Sequence, residues 1–511
     1  MNLTSQQIAE LENEAILLCQ EMIRIPSVNH GEGRGDEKAI AQYVAGKLNE
    51  VGIECELIET APNRVNVVAK ILGSDTTRPG LVLHGHLDVV PVNADDWSVD
   101  PFSGEIKDGF IWGRGAVDMK DMDAMILATV RMWKRIGYKP PRNISLAFFA
   151  DEEASGTYGS RWLVKNRPEL FAGCSEAVSE VGGFSVTITG GHRLYLVEAA
   201  QKGIQWIRLT AKGTAGHGSF VNRDNAITKL SDAVSRIGNF DWPQLETKTN
   251  QKFFSKIAEI TGDKYDGSNV KPLIKHLGNA AKMIGATISN TANPTMLNSG
   301  YKENVIPQSA SAVVDGRFLP GYEDQLHNTI KKLAGEEIEV EIIVRDIALE
   351  VDFAGPLVEA MCNAINSEDP EGIPVPYLMS GGTDNKALSE LGIIGYGFSP
   401  LRLPADLDFM ALFHGVDERV DLLTVDRRDE GLVHGLVDIV RHAIGGTLGV
   451  VHILGIFIAQ VRVVVIGDQL REGTCCLHDA VGMLVEHLEK IAFARQELAK
   501  QHRDSQGGIK N

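Results

Sequence analysis

Ile8, Leu11, Ala15, Leu18 and Met22 recur at three- and four-residue steps, which predicts one apolar helix face ending before Pro26. Ile40, Val44, Leu48 and Val51 repeat the pattern up to Gly52, a residue suited to a helix C-terminal cap. Short β-rich runs follow, VNVVAKIL and GLVLHGH, then a helical run from Asp121 to Ile136, then the strand-like ISLAFFA. This alternation predicts an α/β fold: a mixed, largely parallel sheet with helices on both faces.

From about Leu194 to Leu349 the pattern changes. WIRLTAKG alternates as a half-buried strand, DNAITKLSDAVSRIG reads as a helix, SASAVVDGRFLPG as a strand, EDQLHNTIKKLAG as a helix and EIEVEIIVRDI as a strand. The expectation is a small α+β domain inserted into the first. It spans 194–350, between catalytic-domain parts at 1–193 and 351–425. The polar interval Asp241 to Asn290 reads as an elaboration on the inserted unit. Residues 426–511 form an atypical tail, with a Gly-rich apolar run at Ala443–Ala459 and an amphipathic stretch through Leu477, Val481, Leu484, Leu488 and Ile491. The apolar run is interrupted by His452 and is short of the ~20 residues a membrane span needs, so it reads as a buried strand or helix.

The chain of 511 residues is long enough for two or more domains, and its net charge of −18 argues against a nucleic-acid partner. Six cysteines without CxxC spacing suit a reducing compartment, and the N-terminus lacks a signal-peptide pattern, so a cytoplasmic location is expected.

Within this frame one stretch is chemically unusual. FFADEEASG ends an apolar strand in three consecutive acids, Asp151, Glu152 and Glu153. Three adjacent carboxylates repel one another, so their place at a strand end points to a cation or a proton-transfer task. LVLHGHLDVVPV delivers His86 and Asp88 at a strand end, where open α/β sheets place their sites, although a structural histidine is the commoner reading of His86 alone. GRGAVDMKD presents Asp118 just before a helix, either as a cap or as a ligand. AVSEVGG ends in Glu180, and FHGVDERV supplies His414. Together His86, Asp118, Glu153, Glu180 and His414 form a nitrogen and carboxylate set without thiolate, which suits two Zn²⁺, with Co²⁺ or Mn²⁺ as alternatives. Glu152, beside a ligand and free to take a proton, is the candidate general base.

HGHLDVVP, GRGAVDMKD, ADEEASGTYGS, SEVGG, GTAGHGS, NVIPQSASAVVDGRFLPG, SGGTDNKAL and FHGVDERV, in this order, resemble the zinc peptidase family of aminoacylase, glutamate carboxypeptidase and succinyl-diaminopimelate desuccinylase. The resemblance covers roughly Glu14 to Val425 and implies a dizinc catalytic domain with an inserted lid or dimerisation domain. It implies that His86 and Glu180 hold one zinc, Glu153 and His414 the other, and that Asp118 bridges them, with a cis peptide after Asp118. Asp88 would orient His86, and Glu152 would be base and then acid. His217 of GTAGHGS would reach the partner subunit's site in a homodimer and bind the oxyanion. Asn304 and Arg317 would hold the substrate carboxylate, and Gly382, Thr383 and Asp384 would line the pocket. The expected reaction is hydrolysis of an amide next to a free carboxylate, in a dipeptide, a C-terminal residue or an N-acyl amino acid. The competing readings are an aminopeptidase on a related dizinc scaffold and a non-catalytic metal-binding scaffold protein. Without the resemblance, His217 could be a turn residue and Arg317 half of a surface ion pair.

Overall fold

Strand Gly80–His86 is buried at every position, as a strand covered on both faces must be, and it sits in the middle of the larger of two main sheets. The computed structural model describes residues 3–422. Its larger sheet runs Cys55–Ala61, Arg64–Ile71, Ile144–Phe149, Gly80–His86, Cys174–Ser179, Ile394–Gly397, Arg193–Gln201 and Leu349–Glu350, with Ile373–Met379 and Phe184–Thr187 also pairing to Arg193–Gln201. The four strands from Ile144–Phe149 to Ile394–Gly397 are mutually parallel, so their C-terminal ends share one rim.

Alternate side chains of these strands enter two cores. Leu81, Leu83, Leu146 and Phe148 join a large cluster with Leu11, Leu18, Met22, Val44, Leu48 and Leu127 from the helices Ser5–Ile23, Lys38–Glu50 and Lys120–Arg135. Val82, Ala147 and Phe149 face the other way, towards Leu163 and Leu388 of the helices Ser160–Asn166 and Asn385–Ser389. The period of two thus produces the expected helices on both faces. The first helix begins where Thr4 and Gln7 form a capping box, and Gly52 takes the left-handed φ of +73° that ends the second.

The smaller sheet is antiparallel, in the order Thr291–Ser299, Ser309–Phe318, Gly203–Lys212, Ile338–Asp346. One face packs on the helices Ala226–Gly238 and Glu323–Ala334 through Ile207, Leu209, Leu230, Ile237, Val314, Leu326 and Ile330. The one-sided α+β pattern read from the sequence is therefore present, with two differences. Strand Arg193–Gln201 belongs to the larger sheet, so the smaller one starts at Gly203 rather than near 194. The helices Lys248–Thr261, Lys271–Ile274 and Ala280–Gly285 also leave the small unit. They bury Phe253, Phe254, Ile257, Leu273 and Ile284 in the core of the larger sheet, because their apolar faces complete its far end beside Ile373–Met379.

The tail readings, including Ala443–Ala459 and the stretch from Leu477 to Ile491, lie outside the described residues. Among those described, no helix is long and apolar enough to cross a membrane, and Cys19, Cys55, Cys174 and Cys362 are free thiols.

Candidate metal centre

Three neighbouring parallel strands deliver acid or imidazole groups to one rim. His86 is the last residue of its strand and lies opposite Phe149, so the turn that follows Phe149 carries Glu152 and Glu153 alongside it. Glu180 follows directly on Cys174–Ser179. Asp151 and Val181 have φ of 69° and 54°, which turns the chain sharply as it leaves each strand. Asp118 comes from the loop before Lys120–Arg135, and the Asp118–Met119 peptide is cis, as the resemblance implied. His414 enters from the loop after the short helical turn Phe409–Ala411.

These five side chains meet in two groups that share Asp118. His86, Asp118 and Glu180 form one, and Asp118, Glu153 and His414 the other, with the potential ligand atoms of each group within 4.8 Å of one another. His86 Nε2 is 3.1 Å from Asp118 Oδ1 and 3.4 Å from Glu180 Oε2. His414 Nε2 is 3.2 Å from Asp118 Oδ2 and 3.0 Å from Glu153 Oε2. The two oxygens of Asp118 thus face different imidazoles, the arrangement a bridging carboxylate requires.

The electrostatics suit divalent cations. Burial, reinforced by the charge of Asp118, pushes the Glu153 carboxyl up to about 7. Burial pushes Glu180 up to about 7 against the pull of His86, and it lifts Glu152 well above the usual range, with Glu180 adding to the effect. Burial would also raise Asp118, but hydrogen bonds from His414 and His86 hold it well below the ordinary carboxylate value. Hydrogen bonds to Asp118 and Glu153 raise His414 to about 10. Buried carboxylates in this number are unfavourable unless paired, and imidazole nitrogens with carboxylate oxygens at this spacing are the donor set of a Zn²⁺, Mn²⁺ or Co²⁺ pair. The residues present therefore fit two such ions.

Two buried acids brace the ligands from behind. Asp88 was expected to orient His86; His86 Nδ1 is 2.9 Å from the Asp88 backbone carbonyl and 3.7 Å from its carboxylate. The Asp88 carboxylate instead accepts the backbone N–H groups of Glu152 and Glu153, each at 3.1 Å. On the opposite side, Glu418 accepts the N–H groups of Gly115, Val117 and Asp118 and pairs with Arg114 at 2.6 Å. The sequence reading missed Glu418, although it lies four residues after His414 in FHGVDERV. An acid there reads as a surface charge until the fold buries it.

The remaining site candidates take other hydrogen-bond partners, and of them Asp384 is near enough for its charge to act on Glu152 and Glu180. His217 is exposed on the short strand Gly216–His217, which pairs with Val305–Ile306, and its ring bonds to the Ser219 hydroxyl at 2.8 Å. Asn304, also exposed, offers its carbonyl to the Gly218 N–H. Arg317 forms a two-point ion pair with Asp315, at 2.7 and 3.0 Å. Among the described residues none of these three bonds to a member of the two ligand groups. Thr383 is buried and exchanges two hydrogen bonds with Gln201, and Asp384 accepts from the Ser160 hydroxyl. A Cβ on Gly382 would lie 2.5 Å from Lys386 Nζ, so a larger residue there would require the end of the lysine side chain to shift. Lys386 itself is buried, bonded to the Lys202 carbonyl at 2.8 Å and to Asp346 at 3.2 Å.

Comparison with known proteins agrees with this geometry. Residues 82–434 match peptidase family M20/M25/M40. Aminoacylase-1 of Pongo abelii is 29% identical over 424 residues, covering 80% of this chain and 91% of the relative. Among solved structures, the dipeptidase Dug1p of Saccharomyces cerevisiae superposes with a TM-score of 0.65 at 15% identity, over 87% of this chain and 98% of that one. Human carnosine dipeptidase 1 does so with a TM-score of 0.63 at 16% identity, over 86% and 98%. At such identities the two structures establish the shared fold. The family match, falling on the strand ends and loops that carry all five clustered side chains, makes this chain a member of peptidase family M20/M25/M40 and a metal-dependent hydrolase.

Proposed function

We propose that the protein is a dizinc amidohydrolase that cleaves an amide bond next to a free carboxylate, in a dipeptide, a C-terminal residue or an N-acyl amino acid. The observation that carries this reading is the pair of ligand groups sharing Asp118, with Glu152 adjacent to Glu153 and outside both groups. His86 and Glu180 would hold one ion, Glu153 and His414 the other, and Asp118 both. Bound there, two divalent cations supply Lewis-acid polarisation of the scissile carbonyl and lower the pKa of water.

The protein's own groups do the rest. Glu152, whose carboxyl is held well above its usual value by burial, takes a proton from the attacking water and returns it to the leaving amine. Arg317 and Asn304 hold the substrate carboxylate, and Gly382, Thr383 and Asp384 form the wall against which it rests. His217 donates to the oxygen that gains charge in the transition state. As the family resemblance implies, His217, which lies on the smaller sheet's unit, acts in trans within a homodimer, with that unit serving as lid and dimerisation domain. The free thiols support a reducing, cytoplasmic location.

An aminopeptidase would need an anionic pocket for the substrate amine, whereas Arg317, which Asp315 pairs in this structure, is here assigned to the substrate carboxylate. A non-catalytic scaffold would have no use for Glu152, which is retained here. The test is release of free amine from a panel of dipeptides and N-acyl amino acids, with Zn²⁺ supplied and then chelated. Chelator-sensitive release that Zn²⁺, Co²⁺ or Mn²⁺ restores is the expected result. Two bound ions with no release from any substrate of the panel would overturn the amidohydrolase reading.

A further inference from the structure

A chain of buried polar groups runs from Glu37, just before the helix Lys38–Glu50, to the backbone of Glu152, and the catalytic reading above leaves most of it unused. Arg64, with no exposed surface, donates to both oxygens of Glu37 at 2.7 and 2.6 Å and to Asp151 Oδ1 at 2.8 Å. That same Asp151 oxygen accepts from the Asn29 side-chain amide at 3.0 Å, and the amide also donates to Asp88 Oδ2 at 2.8 Å. Asp88 in turn accepts the backbone N–H groups of Glu152 and Glu153. Asn29, Glu37, Arg64, Asp88 and Asp151 are all buried.

The direction of each bond gives Asn29 a particular place in the chain. Asp88 and Asp151 are both acceptors and repel each other, so they can share this space only if a donor stands between them. An amide NH₂ has two hydrogens, one for each carboxylate, and no charge of its own. Its orientation is fixed at the other end, where Asn29 Oδ1 accepts the Gly31 N–H at 2.9 Å. Asp151 is itself tied down by Arg64 and by the Tyr158 N–H at 3.0 Å, so the turn that starts at its left-handed φ of 69° is anchored at both ends. Of the three consecutive acids in the sequence, Asp151 is therefore the mounting of the other two.

We infer that Asn29 is a positioning residue for the reaction: by bridging Asp151 and Asp88 it fixes the carboxylate that caps the Glu152 and Glu153 N–H groups, and so sets where the Glu152 side chain starts. The inference rests on the amidohydrolase reading for its kinetic consequence and on the bond network for its structural one. A general base displaced by a fraction of an ångström still lets substrate bind, so the loss falls on kcat rather than KM.

The experiment compares wild type with Asn29→Leu, which keeps the number of side-chain heavy atoms and removes both donors, and Asn29→Asp, which is nearly isosteric and puts a third acid in their place. Each Zn²⁺-loaded protein is measured for kcat and KM on the best substrate of the panel, for metal stoichiometry, and for hydrogen exchange at the Glu152 and Glu153 amides. The expected result is a kcat lower by ~10- to 100-fold, KM within about threefold, two ions still bound and faster exchange at both amides. Unchanged exchange, an unchanged kcat or activity lost only in proportion to metal would each overturn the inference. If Asn29→Leu does not fold, Asn29→Asp decides on the same readouts. A wild type that hydrolyses nothing in the panel would remove the amidohydrolase reading, while the exchange comparison would still decide whether Asn29 anchors the turn.

Discussion

Glu418 Oε1 accepts the backbone N–H of Asp118 at 3.2 Å, across 300 positions of sequence. The residue shared by both ligand groups is thereby held from behind by an acid that belongs to neither group. Glu418 has no exposed surface and pairs with the Arg114 guanidinium, against a burial that raises its carboxyl to about 7. Replacing it leaves a buried guanidinium and three backbone donors to rearrange. Glu418→Gln should lower stability by about 3 kcal/mol, the usual cost of breaking a buried pair from one side, and weaken metal retention. Urea unfolding and metal analysis after dialysis would check this. A variant as stable and as well loaded as wild type would mean that Glu418 does not brace Asp118.

Glu152 and Glu153 are adjacent, but only Glu153 belongs to a ligand group. Their replacements should therefore fail differently. Glu152→Gln should retain two ions and lose turnover by at least the ~10²- to 10⁴-fold typical of a missing general base. Glu153→Gln should lose metal first and activity with it. Metal content measured beside kcat separates the two, and a Glu152→Gln protein that turns over at the wild-type rate would remove Glu152 from the mechanism.

The five clustered side chains were legible in the sequence because four of them sit where an apolar run or a glycine-bearing loop stops abruptly at an acid or an imidazole. In a parallel sheet such ends share a rim. What braces them was not legible. Asn29 lies in a polar loop and Glu418 among surface-like charges, and nothing local distinguishes either from a solvated residue until tertiary packing excludes water from it. The helices from Lys248 to Gly285 teach a similar lesson. Phe253, Phe254 and Ile257 mark an apolar face in the sequence, but which core that face completes depends on where Ile373–Met379 lies, and that strand comes more than a hundred residues later.

Glu198, which belongs to neither ligand group, gives a pH prediction. It is buried in the larger sheet with Gln201 Nε2 at 3.3 Å, and burial raises its carboxyl from 4.5 to about 8 against that hydrogen bond. Between those two values the folded chain holds a proton that the unfolded chain has released, so this group's contribution to stability falls as pH rises from about 5 to 8. Glu198→Gln removes the titration. The metal-loaded variant should thus lose less stability than wild type over that interval, by roughly 1.4 kcal/mol per pH unit at most. Parallel slopes in urea unfolding at pH 5, 6.5 and 8 would mean that Glu198 is ionised in the folded protein at all three.

His217 supplies the prediction that separates an assembled site from a self-contained one. It is exposed, its ring is bonded to Ser219, and it makes no bond to the ligand groups among the described residues. If it acts in trans, a dimer has two sites, each built from the Glu152 of one chain and the His217 of the other. Glu152→Gln and His217→Ala are then each inactive alone, yet a mixed dimer contains one site with both residues intact. Random re-association of equal amounts makes half of the dimers mixed, with one working site of two, so about a quarter of wild-type activity should return. Unfolding and refolding the two variants together, with each refolded alone as control, reads this directly. No recovery from a dimer shown to be mixed would place the oxyanion donor on the same chain as the metal ligands.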